Sequence, residues 1–90
     1  MSDKDIVPPS EYSYRLTIQP TKEATGEFTA ADYSFTITGH VVPRHGETRG
    51  QLKERLKRDE AFRQWRDRFP HFRLKADDFI VTVFTLQEVS

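Results

Sequence analysis

Two short stretches alternate strictly between apolar and polar residues, and they constrain this chain more than any other feature. Tyr12, Tyr14, Leu16 and Ile18 alternate with Ser13, Arg15, Thr17 and Gln19. Further on, Tyr33, Phe35 and Ile37 alternate with Ser34, Thr36 and Thr38. A period of two in aromatic and β-branched residues is the pattern of a strand with one buried and one wet face. The second strand can run on to Val42, with Gly39 as a candidate bulge, and Pro43 ends it. The polar link between them, 20–32, has Gly26 as a turn residue. The simplest arrangement is an antiparallel hairpin, whose apolar face needs a covering layer.

A helix supplies that layer. Thr48-Arg49-Gly50-Gln51 is a capping box, in which Thr48 accepts from the Gln51 amide and the Gln51 side chain reaches back. The run 51–69 is rich in Leu, Lys, Arg, Glu and Gln, all good helix formers, and Pro70 stops it. At about 100° per residue, Leu52 and Leu56 sit roughly 130° away from Phe62, Trp65 and Phe69. Either the helix lies in a wide groove or it breaks at 57–60, where Asp59 is a competent cap for a second segment. The Phe62, Trp65 and Phe69 stripe is read as core, with Trp65 against the sheet.

The last strand runs from Phe79 to Leu86 and is apolar on both faces. Straight alternation puts Ile80, Phe84 and Leu86 towards the helix and Phe79, Val81 and Val83 on the other side. The expected fold is therefore α+β, in the order β-β-α-β. It is a small three-stranded, mainly antiparallel sheet, strand order 2-1-3, with one helix, continuous or broken, packed on one face.

With 90 residues the chain is one domain with an economical core. Seven Phe, three Tyr and one Trp carry much of that core. Residues 1–10, with Pro8-Pro9 and little apolar content, read as a flexible arm ahead of a single domain, 11–90. The absence of Cys excludes a disulfide framework, a thiol nucleophile and a Cys-ligated zinc. The apolar runs are too short to span a membrane, and the polar, acidic start is unlike a secretory signal. The expected location is cytoplasmic. Fourteen basic and fourteen acidic residues leave no net charge. The balance is −3 over 1–43, +6 over 44–75 and −3 over 76–90, so only the middle could attract a polyanion, and only locally.

Few motifs carry chemistry. Arg44-His45-Gly46-Glu47-Thr48 resembles the signature of the histidine phosphatase superfamily, in which the His is phosphorylated and the Arg holds the phosphate. That superfamily needs a larger α/β domain, a second Arg and a second catalytic His, so the likeness is judged coincidental and the segment is read as a strand-to-helix loop. His40 and His45 with Glu47 or Asp32 lack the second ligand pair of a structural zinc site, and no metal or cofactor is expected. Asp77-Asp78 reads as turn chemistry. The cations of the helix, Arg49, Lys53, Arg55, Lys57, Arg58, Arg63, Arg66 and Arg68, fall nearly all round it among acids, as on a solvated, salt-bridged surface.

One broader resemblance covers about a fifth of the chain. The stretch Tyr12-Ser13-Tyr14-Arg15-Leu16-Thr17-Ile18-Gln19, then Gly46-Glu47-Thr48-Arg49, then Val83-Phe84-Thr85-Leu86, is similar to a pattern in short bacterial proteins of no established activity. It implies the fold and no function.

The leading expectation is a small non-enzymatic binding module. It would act in protein–protein interaction or self-association through the uncovered sheet face, with Phe79, Val81 and Val83 as the contact. The alternative is nucleic-acid binding through the Arg-rich helix 49–68, with Arg49, Lys53, Lys57, Arg63 and Arg66. A phosphoryl-transfer enzyme acting through His45 is a distant third.

Overall fold

The computed structural model describes residues 2–25 and 30–89. The first alternating stretch forms β1, Tyr12–Pro20, and the second forms β2, Phe35–Val41. The last strand, β3, is Phe79–Glu88. The sheet order is β2-β1-β3 with both pairings antiparallel, as the sequence led us to expect. Between β1 and β2 lie one helical turn, α1, Lys22–Thr25, and a 3-10 turn, Ala30–Tyr33. The turn expected at Gly26 lies outside the described residues. Tyr33 belongs to the 3-10 turn, not to the strand, so β2 begins two residues later than its alternation implies.

Cross-strand partners share a face. Tyr12, Tyr14, Leu16 and Ile18 stand opposite Val41, Gly39, Ile37 and Phe35, and this set faces the helix. Leu16 and Ile18 are fully buried. Gly39 pairs in register with Tyr14, so it makes no bulge. The bulge is in β3. Thr17 stands opposite Val83 while Ile18 stands opposite Val81, which leaves one extra β3 residue between them. An extra residue reverses the facing of everything beyond it. Phe79 and Val81 therefore join Phe84 and Leu86 on the helix side.

The helix is continuous. It starts at Thr48 with both halves of the capping box made, the Gln51 amide donating to Thr48 Oγ1 at 3.2 Å and the Thr48 amide donating to Gln51 Oε1 at 3.0 Å. It comprises α2, Arg49–Leu56, a π turn, Lys57–Ala61, and α3, Phe62–Arg68. The Phe62 amide donates to the Lys57 carbonyl, five residues back. A π turn holds one more residue than an α turn and sets the following segment back by about 100°. That resolves the conflict in the wheel. The buried positions Leu52, Leu56, Ala61 and Trp65 are spaced four, five and four apart, and the long step falls on the π turn.

Trp65 is 1% exposed. Its Nε1 donates to the Tyr33 carbonyl at 2.8 Å, and its ring meets Phe79 edge-on with centroids 4.7 Å apart. Phe69 and Phe72 pack around it. The opposite face of the sheet has no covering element among the described residues. It displays Ser13, Arg15 and Thr17 of β1, Thr36, Thr38 and His40 of β2, and Ile80, Val83 and Thr85 of β3. Thr17 and Thr36 share a hydrogen bond across it at 2.7 Å.

Residues 2–10, part of the segment 1–10 read from the sequence as a flexible arm, lie against the helix start. Val7 is 1% exposed, and its amide donates to the Glu47 carbonyl at 2.9 Å. The Arg49 and Gly50 amides, two of the orphan donors of a helix N-terminus, donate to the Asp5 and Asp3 carbonyls at 2.9 Å each. The arm thus completes the cap that Thr48 begins.

Candidate interaction surface

The apolar patch expected on the open face is not there. Phe79 is 2% exposed, wedged edge-on against Phe62 and Trp65, and Val81 is half-buried against the same core. Of the three expected contact residues only Val83 faces outwards, at 42% exposure, with Ile80 at 48% beside it. Ile80, assigned by straight alternation to the helix side, is on the open face for the same reason: the bulge in β3. The open face is otherwise rich in hydroxyls.

The helix cations are largely engaged. Asp3 of the arm accepts from Arg49 Nη1 at 2.5 Å and from Lys53 Nζ at 2.6 Å, and these two partners hold its carboxyl below the usual range. Arg49 Nη2 also donates to the Phe84 carbonyl at 2.7 Å, with the guanidinium over the Phe84 ring. Lys57 is buried and donates to the Phe79 carbonyl at 3.2 Å and to Glu54 at 3.2 Å. Arg58 is held between Glu54 and Asp77. Of the five residues expected to meet nucleic acid, Arg63 and Arg66 are exposed and outside the ion pairs seen among the described residues, with Arg66 lying over the Phe62 ring.

The loop before the helix is a structural joint. Gly46 takes a φ of 75°, the left-handed conformation that suits glycine. Glu47 is 8% exposed and accepts from Arg55 Nε and Nη2 at 2.9 Å each, a bidentate pair, and from the Arg44 amide at 3.0 Å. The Arg55 guanidinium is the main reason its carboxyl is held below the ordinary carboxylate value. Arg44 and His45 are exposed at the rim of an open cleft of about 550 Å³ over this joint. Among the described residues no group of three or more His, Cys, Asp or Glu could hold a metal ion, and no helix is long and apolar enough to cross a membrane.

A second groove, of about 490 Å³, lies between β2 and the π turn, and it was not singled out from the sequence. Its floor is Tyr14 and its far wall carries Asp59 and Glu60. Tyr14 lies across Gly39, where a Cβ would fall 3.1 Å from the phenol oxygen, so the glycine lets the ring reach β2. The Tyr14 side chain is otherwise buried, at 8% exposure, and its hydroxyl, bonded to no described residue, opens onto the groove. Burial first, and Glu60 second, push this phenol above its ordinary value. The only cue in the sequence was Gly39 inside a strand, which signals either a bulge or a close approach; the close approach is the one realised.

The two outer strands differ. In β3 the carbonyls of Phe79 and Phe84 accept from helix cations. The outer edge of β2 has no neighbouring strand among the described residues, and β2 itself, FTITGHV, holds no Pro, Lys or Arg. Comparison with protein-family models, with curated proteins and with solved structures found no match.

Proposed function

We propose that the protein is a non-enzymatic binding module for other proteins, working through its open sheet. The observation that supports this reading is the outer edge of β2, which pairs with no strand among the described residues. An edge strand with no lysine, arginine or proline in it is a template for pairing with another chain, and proteins normally blunt such edges. The polar pairs that could suggest chemistry, Glu47 with Arg55 and Asp77 with Arg58, are tied to each other in ion pairs. Nucleic-acid binding is the second reading, and Arg63 and Arg66 are what favours it.

Selection of a displayed random-peptide library on the immobilised full chain tests the proposal, with titration of labelled single- and double-stranded nucleic acid at low and high salt beside it. Enrichment of peptides, with weak nucleic-acid binding at low salt, is expected. No enrichment, together with tight nucleic-acid binding that falls steeply with salt and is lost in Arg63→Glu/Arg66→Glu, would overturn it.

A further inference from the structure

We infer that the β2 edge and the groove beside it take one extended peptide segment carrying a lysine or arginine, which pairs with β2 and sets its cation between Asp59 and Glu60 over Tyr14. This rests on the protein-binding reading and names the partner's chemistry. Pairing as an added strand supplies affinity through the main chain, and pockets at alternate side chains supply specificity. The edge supplies the main-chain half. Residues 38–41 of β2, with Val42 just beyond it, line the groove together with Asp59 and Glu60 of the π turn, so a segment added along that edge would have the groove beside it.

The groove supplies the specificity half. Asp59 and Glu60 line it and enter no ion pair among the described residues, whereas Glu54 and Glu47 on the same side of the molecule are neutralised by arginines. The π turn is what brings two successive acids to this wall, because it widens the helix at 57–61. Arg55, the arginine that lines the groove, is paired with Glu47 through both oxygens, and Asp59 and Glu60 add to the negative field around it. An incoming ammonium or guanidinium therefore meets two carboxylates that are in no ion pair among the described residues and the accessible oxygen of an otherwise buried phenol. Such a site accepts charge-assisted hydrogen bonds and rejects an anion.

A second copy of this chain fits less well. Antiparallel pairing of two β2 edges is isologous, so it would bring Asp59 and Glu60 of both copies to the same seam, and β2 carries no Lys or Arg to offset them. Charge complementarity selects a basic segment from another protein.

The probe is a short acetylated and amidated peptide alternating valine and threonine around one central lysine. Two controls are the same peptide with glutamate for lysine and the same peptide with alternate backbone nitrogens methylated. Binding to the full chain is followed by calorimetry and by amide hydrogen exchange. The lysine peptide should bind and slow exchange in 36–41. Glutamate for lysine should weaken binding by about tenfold or more, the loss of one charge-assisted hydrogen bond. Backbone methylation should abolish it. Asp59→Asn/Glu60→Gln, both exposed positions, should erase the lysine-over-glutamate preference while the β2 protection remains. Tyr14→Phe, which keeps the ring, should weaken the lysine peptide only. Binding indifferent to lysine or to methylation, no binding at all, or concentration-dependent self-association that protects β2 would each overturn the inference. If the peptide library yields binders that leave β2 exchange unchanged, this inference falls and the protein-binding reading stands. If it yields none and nucleic acid binds tightly through Arg63 and Arg66 instead, both fall.

Discussion

Deleting Asp59 should leave the protein folded, although deleting a residue from a helix is normally ruinous. A deletion turns everything beyond it by about 100°. Here the π turn holds one residue more than an α-helix needs, and Asp59 is exposed within it. Without Asp59, the buried positions Leu52, Leu56, Ala61 and Trp65 become evenly spaced, four apart throughout. A plain α-helix then presents the same line of side chains to the sheet. The stability change should be within roughly 1 kcal/mol, like that of an ordinary surface change. Deleting Lys53 is the control. It leaves the π turn in place and turns Leu52, which is 0% exposed, out of line with Leu56. Losing a buried leucine costs about 2–5 kcal/mol, a large share of what a domain this small has. Urea unfolding followed by far-ultraviolet circular dichroism measures both. If the Asp59 deletion unfolds as readily as the Lys53 deletion, the π turn is not an accommodated extra residue and the reasoning fails.

Other consequences follow from single contacts. Trp65→Ala should destabilise by about 3–5 kcal/mol, and Trp65→Phe by less, since it keeps a ring against Phe79 and loses the bond to Tyr33; equal melts for the three proteins would contradict this placement of the ring. Thr48→Ala should cost about 1 kcal/mol by removing the cap, read in the same denaturation curve. Glu47 has a folded-state pKa below its unfolded one, so its stabilisation is fully present above the ordinary value of 4.5 and is lost as pH falls through the lower folded value. Glu47→Gln should therefore flatten the acid limb of a stability-against-pH curve, and an unchanged limb would mean the Arg55 pair contributes nothing.

The parts legible in the sequence were those set by local pattern. The alternation of β1 and β2 and the Thr48 capping box depend on residues within a few positions of each other, and all three are realised. The facing of β3 was misread because a bulge is a long-range event: it exists only in the pairing of β3 with β1. Even so, the strand carries its trace, since Phe79 and Val81 are odd-numbered and Phe84 and Leu86 even. The π turn left a similar trace in the five-residue step between Leu56 and Ala61. The docked arm left none, because it is held mostly by backbone hydrogen bonds and by Asp3, with Val7 the one buried side chain among its described residues. The groove was hidden for the same kind of reason, since it is made by a glycine in one strand, a tyrosine in the next and a helix irregularity far along the chain.

Hydrogen exchange across the sheet, in the free chain and with the tightest peptide from the library bound, tests the account most directly. The free chain should exchange slowly in β1, the central strand, and faster at the outward amides of β2. Binding should slow exchange in 36–41 and leave the outer surface of α3, around Arg63 and Arg66, unchanged. Protection that appears on α3 and leaves β2 untouched would contradict a module that works through its open sheet.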